Sequence, residues 1–192
     1  MSKIKQFLRR ERGITALETA LAFPIILAVA GVFADLYTVS LERERMEQRV
    51  GAIASVLSYQ SELTEKGLQG LQDSVMPDDA NHSYQMLLSN VRQNGEVYWQ
   101  LSRGNATDLC QGNTAINGMQ WPGSLPERDA EKGSPNISMI VVEICRQGSD
   151  VSLLGGLTLS GLLDASTTNR VAAGVIKLDE TLAQEAGLGE NE

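Results

Sequence analysis

Apolar positions fall along this chain in three patterns, and each predicts a different element. From Thr19 to Ala34 the run TALAFPIILAVAGVFA holds sixteen residues without a charge. With Ile14–Leu17 before it and Leu36–Leu41 after it, the apolar stretch exceeds 25 residues. A helix needs about 20 to cross a bilayer. Beyond Asp35 the pattern changes to a stripe: Met46, Val50, Ile53 and Leu57 stand four, three and four apart, as one face of a helix requires. No proline interrupts the segment, so a continuous helix is expected from Ile14 to about Gln60, about 70 Å long. Alternation follows at Val97, Trp99 and Leu101, the signature of a strand. ISMIVVEICR, residues 137–146, is apolar on both faces and reads as a central strand.

The remaining elements are predicted from weaker signals. Glu62–Val75 carries Leu63, Leu68, Leu71 and Val75 at helical spacing, weakened by Gly67 and Gly70. Asn81–Asn94 reads as a helix, with Tyr84, Leu87, Leu88 and Val91 on one face, Asn81 as N-cap and Gly95 as stop. Residues 104–136 hold five glycines and three prolines and read as a long loop that needs a restraint. A Gly-rich stretch around Gly155, Gly156 and Gly161 leads to a last strand at Asn169–Leu178. The tail from Asp179, acidic and rich in small residues, is expected to fray. The sum is an α+β fold, a long N-terminal helix packed on a small antiparallel sheet.

Charge divides the chain more sharply than length does. At 192 residues there is room for one domain plus an anchor. The net charge is −8, yet residues 1–13 carry five basic groups against Glu11, or +4, which leaves −12 for the remainder. A basic leader before an apolar helix marks the cytoplasmic end of a single span. An acidic domain beyond it excludes nucleic acid as a partner and opposes docking on anionic lipid. The expected divisions are a leader at 1–13, a transmembrane and extended helix at 14–60, and an exported head at 61–192.

Cys110 and Cys145 are the two cysteines, 35 positions apart, too few for a structural zinc site. In an exported domain they are expected to form a disulfide, whose loop closure would stabilise the fold by roughly 4 kcal/mol. In a cytosolic domain they would stay as free thiols.

Glu18 and Gly13 carry the most specific signal. Glu18 lies inside the apolar stretch, where an ionised carboxylate needs a partner. Counting from Ile14, just after Gly13, Glu18 is the fifth residue. Cleavage between Gly13 and Ile14 would put a new ammonium at the membrane surface, one helical turn from a carboxylate on the same or a neighbouring chain. Two other readings compete. A secretory signal could use the small residues Ala28 and Ala30, or Ala34, as its cleavage site, although Glu18 and Pro24 would then interrupt its apolar core. Glu18 could also be an ordinary acidic residue near a helix start.

The run RRERGITALETALAFPIIL resembles the amino termini of TadE/TadF-like minor pilins of the Flp, or tight adherence, pilus, with Pro24 where that family places one. Cys110, the strand IVVEIC and the segment ASTTNRVAAG resemble the TadF side of the family. The polar SYQ after Leu57 departs from it. The resemblance covers residues 9–60 closely and 97–175 loosely. It implies processing by a prepilin peptidase and anchoring in the inner membrane, with the head in the periplasm or carried into a surface pilus. The implied partners are other pilus subunits, the assembly platform, and lipid along residues 14–41.

No catalytic constellation accompanies these features. His82 stands near Asp78 and Asp79, but one histidine and two adjacent carboxylates lack the third ligand of a metal site, and they read as turn and capping residues. The sequence holds no P-loop, GxGxxG, GxSxG or HExxH pattern. No cofactor is expected, and the chain reads as a protease substrate rather than an enzyme. A permanently anchored periplasmic adaptor or sensor is the alternative function.

Overall fold

The structure, a computed structural model, describes residues 2–76, 83–110, 115, 117–126, 137–152 and 161–189, with side chains described from Glu18 onward. Helix α1 runs from Ser2 to Ser58, 57 residues or about 85 Å. It is longer than expected because it continues through the leader. Lysine, arginine, glutamine and leucine there favour helix, and Gly13 alone costs only about 1 kcal/mol. Pro24 lies inside α1 without ending it.

The head is built on one antiparallel sheet. Its strands are β2 (Tyr84–Arg92), β3 (Val97–Gly104), β4 (Ser138–Gln147) and β5 (Leu162–Arg170), in the order β3-β2-β4-β5. A two-residue parallel pair, β1 (Glu62–Leu63) with β6 (Lys177–Leu178), lies beside it. Helices α2 (Glu65–Val75), α3 (Gly148–Val151) and α4 (Glu180–Glu185) complete the head. The long N-terminal helix on a small antiparallel sheet is the α+β layout expected from the sequence.

Alternation splits each strand between two faces. Met86, Leu88, Trp99, Leu101, Ile140, Val142, Ile144, Leu163 and Ala165 share one hydrophobic cluster with the α1 stripe of Val39, Met46, Val50, Ile53 and Leu57, and α1 itself packs on β4 and β5. Burying each large side chain of that stripe stabilises the head by about 1.5–3 kcal/mol. The opposite face is covered by the chain between β3 and β4. Leu109 and Cys110 pack on Leu87 and Cys145, while Ala115, Trp121 and Leu125 pack on Val91, Val97 and Val141.

Two glutamines on that face hold the covering segment. Gln85 Oε1 accepts from the backbone N–H groups of Leu109 (2.8 Å) and Cys110 (2.9 Å). Gln100 Oε1 accepts from Ala115 N–H at 2.8 Å. A disulfide joins Cys110 to Cys145, tying the segment to the central strand. The loop expected at 104–136 thus has the restraint it needed.

Three expectations are corrected. Asn81–Asn94 is no helix: its described part is the central strand β2. The spacing of Tyr84, Leu87, Leu88 and Val91 mimics a helical face, but β2 is covered on both sides and has buried residues everywhere but at Arg92. The last full strand is Leu162–Arg170 rather than Asn169–Leu178. Val171 and Ile176 are buried in the return from β5, and Lys177–Leu178 alone of that stretch pairs as strand, with β1.

The tail does not fray at Asp179. Its carboxylate caps two helices, accepting from Leu182 N–H at the start of α4 (2.9 Å) and from Glu65 N–H at the start of α2 (2.8 Å). Leu182 is fully buried, and the Trp99 indole N–H donates to Ile176 O at 2.8 Å. Arg103 bridges Glu185 (2.5 Å) and Glu65 (2.9 Å). The hydrogen bond to Glu185 raises the arginine's pKa above its ordinary value, so the guanidinium of this clamp stays charged.

Glycine is required at two turns. Gly95 (φ 87°) closes the β2–β3 hairpin, and Gly104 (φ 120°) ends β3 against the Tyr84 backbone, where no Cβ fits.

Candidate functional site

Helix α1 is two structures in one. From residue 18 to 34 its apolar side chains lie bare on every side: Leu21, Phe23, Ile25, Ile26 and Phe33 are all more than 60% exposed. Only 6% of its most apolar window is buried by the head, which separates it from the core helix of a soluble protein. Among the described residues it is the one helix long and apolar enough to cross a membrane. Ile14 to Ala34 rises about 30 Å, the thickness of a hydrocarbon core. The first hydroxyls beyond that rise are satisfied within the helix, Thr38 by Ala34 O and Ser40 by Leu36 O.

The packed half begins at Asp35, and its first contacts are polar. Asp35 is fully buried and accepts from the Ser152 hydroxyl through both oxygens, at 2.9 and 3.0 Å. The reason is helical phase. Residues 35, 39, 42 and 46 continue the stripe of 50, 53 and 57, so Asp35 turns toward the head.

Glu42 has the same phase and is 8% exposed. It ion-pairs with Arg146 of β4, itself 3% exposed, and lies 3.7 Å from both Arg45 and Arg49. A buried pair like this adds little net stability, but removing one partner strands the other charge. It therefore sets how α1 sits on the sheet. The charged residues 42–49 are thus divided, with Glu42 inside the head and Arg43 pairing with Glu47 on the surface (3.4 Å).

Glu18 is the sole charged residue between the start of the described side chains and Asp35. It is exposed and has no ion-pair partner among the described residues. Seventeen positions before Asp35, it points about 100° around the helix from the head-facing stripe, at 3.6 residues per turn. The backbone of Gly13 and Ile14 lies within α1, and their side chains, like those of residues 15–17, are outside the described set. Asp78, Asp79, Asn81 and His82 also lie outside the described residues, as do Gly155 and Gly156.

The head offers little chemistry among its described residues. Glu143 lies close to Cys110 and Cys145, but those sulfurs are bonded to each other and cannot serve as thiolate ligands. An open depression at the far pole is bordered by Ser58, Tyr59, Ile137, Arg170, Val171, Ala172, Ala173 and Gly174, with Arg170 the one charged residue among them.

Sequence reasoning missed Asp35, Glu42 and Arg146 as one junction. The signal was present, since 35, 39, 42 and 46 share a helical face, but carboxylates are normally read as the solvent side of a stripe. No family model matches the chain, and neither a curated protein nor a solved structure matches it.

Proposed function

We propose that this chain is a minor pilin-like subunit that assists assembly of a tight adherence pilus. In this reading it inserts in the inner membrane with its basic leader in the cytoplasm, is cut between Gly13 and Ile14 by a prepilin peptidase, and carries its head in the periplasm. It is a structural partner of other subunits and of the assembly platform, not an enzyme.

The observation that carries this reading is the division of α1. Its second half is the spine of the head's core, and its first half projects bare, with Glu18 as the lone carboxylate. An anchor for an independent domain needs no shared helix. A subunit that must pass from bilayer to filament gains from one, because head and anchor then move as a rigid unit. The disulfide fits a head folded in an oxidising compartment. Glu18 projects to the side of the head-facing stripe, about 100° around the helix, where a neighbouring helix could reach it.

Glu18→Ala tests the role of that carboxylate. The variant should still be cleaved, because the leader and Gly13 are intact, and should stay in the membrane, because its segment is more apolar. It should lose recruitment, since the Ile14 ammonium would have no carboxylate to meet, a loss of about 1–3 kcal/mol. The readouts are crosslinking to other pilus subunits and a count of surface pili at equal expression. A permanently anchored adaptor predicts unchanged partners and unchanged piliation, and that outcome would remove the assembly role.

A further inference from the structure

We infer that β5 is the docking edge of the head. Its occupant is an antiparallel extended strand of a different membrane-anchored chain, with an acidic group opposite Arg170 and a basic one opposite Asp164. Backbone parity shows which groups the edge offers. Val171 N–H donates to Ser138 O and Gly148 N–H donates to Gly161 O, both at 2.9 Å. These bonds flank an unshifted register that runs from Met139 opposite Arg170 to Gln147 opposite Leu162. The odd-numbered residues of β5 therefore bond to β4, and Leu162, Asp164, Ser166, Thr168 and Arg170 turn their N–H and C=O groups outward. No backbone group of another described residue meets that outward row.

The two edges of the sheet differ. At β3, Val97 N–H donates to Met119 O, Gly118 N–H donates to Val97 O, and Glu96 bridges Gln120, so that edge is already paired where it begins. Strand β5 has no such neighbour among the described residues. Over its nine residues it carries no proline, lysine or bulge, the devices that keep an edge from pairing. Leu163 and Ala165 fix it to the core on the α1 side, which leaves the even-numbered side chains on the opposite face. There Asp164 and Arg170 stand six positions apart, both exposed, and neither makes an ion pair with a described residue.

Those two charges select the occupant. An antiparallel strand that matches them carries an acidic residue followed, six positions later, by a basic one. Strand β5 itself has that pattern, so a second copy would satisfy the charges, with Asp164 opposite Arg170 twice over and Ser166 opposite Thr168. It fails on orientation. Helix α1 runs alongside β5 from the level of Ser152, bonded to Asp35, to that of Ala172, bonded to Ser58. Antiparallel pairing of two β5 strands turns one whole subunit end over end. The two bare helices would then point in opposite directions and could not enter one bilayer. The occupant is therefore a different chain with the same charge pattern. That choice rests on α1 spanning the membrane, whereas the open edge does not.

The probe is a synthetic peptide of residues 161–171, GLLDASTTNRV, added to the full chain in detergent. It carries the required pattern and no anchor. Fluorescence anisotropy should show saturable binding. Methylating the backbone nitrogen of the peptide's Thr168 should abolish binding and methylating that of its Thr167 should not, because only the even-numbered N–H groups face the protein. Ser166→Pro in the protein removes an outward N–H and no bond to β4, so it should also abolish binding while the Cys110–Cys145 disulfide and protease resistance are kept. Exchanging the two charges of the peptide should weaken it about tenfold, and Asp164→Arg with Arg170→Asp in the protein should restore it.

Absent binding, or binding indifferent to which nitrogen is methylated, would overturn the docking edge. Binding indifferent to the charge exchange would overturn the chemistry assigned to the occupant. In vesicles, oxidation of the Thr167→Cys chain should give no crosslinked dimer. A dimer, which needs the two Thr167 positions face to face, would make a second copy the occupant and overturn the choice of a different chain. None of these readouts depends on cleavage after Gly13, so the edge and the pilin reading fail separately.

Discussion

The two halves of α1 share a backbone and a helical period, yet one is bare and the other is the centre of a core. The difference is angular. In residues 35–57 the buried positions recur every three or four, leaving Arg43, Glu44, Arg45 and Glu47 for water. In residues 18–34 apolar side chains occupy every direction, so no single head could cover them, and a surrounding apolar medium can. Even at the boundary the distinction holds: Asp35 is buried because of its angle, and Tyr37, two residues on, is 70% exposed.

The same substitution made in each half should therefore produce two unrelated defects. Ile53→Asp places an uncompensated charge at a fully buried position and should unfold the head, costing more than about 4 kcal/mol. Ile26→Asp should leave the head folded and instead weaken insertion, by about 3 kcal/mol for a carboxylate near mid-bilayer. Limited proteolysis reads the first defect and membrane fractionation the second. Equal proteolytic sensitivity in both variants would break the comparison.

Replacing both Cys110 and Cys145 with serine should cost the head about 4 kcal/mol, from the loop of 35 residues they close, without changing membrane retention. Denaturant titration of the full chain in detergent measures it. Arg146→Met should cost about 3 kcal/mol by leaving Glu42 buried beside it, and Glu42→Met together with Arg146→Met should recover most of that. A double variant as unstable as the single one would show that the junction depends on something other than the ion pair. Asp179→Ala, which uncaps α2 and α4 together, should cost about 2 kcal/mol in the same titration.

What could be read from sequence follows the same logic as the helix. The stripe at Met46, Val50, Ile53 and Leu57, the strands at Val97 and at residues 137–146, and the cysteine pair all announce themselves locally. Strand β2 did not, because a strand covered on both faces loses its alternation, and Gln85 and Ser89 are buried for their hydrogen bonds rather than their polarity. Strand β5 did not, because a sheet edge of Ser166, Thr167, Thr168 and Asn169 carries no apolar period. The α4 cap was visible in Asp179 and Glu180, but the contacts that hold the tail come from Glu65, Trp99 and Arg103, far away in sequence. Of the candidate site, Glu18 was legible as a charge in the wrong place. The junction of Asp35, Glu42 and Arg146 needed the fold, since nothing local says that a carboxylate faces inward.

The most direct test of the pilin reading is the amino terminus of the mature protein isolated from membranes. Cleavage between Gly13 and Ile14 predicts a chain that begins Ile-Thr-Ala-Leu-Glu, lighter by the thirteen leader residues and still membrane-bound. A chain that begins at Met1 or Ser2, or one cut after Ala30 or Ala34, would contradict it.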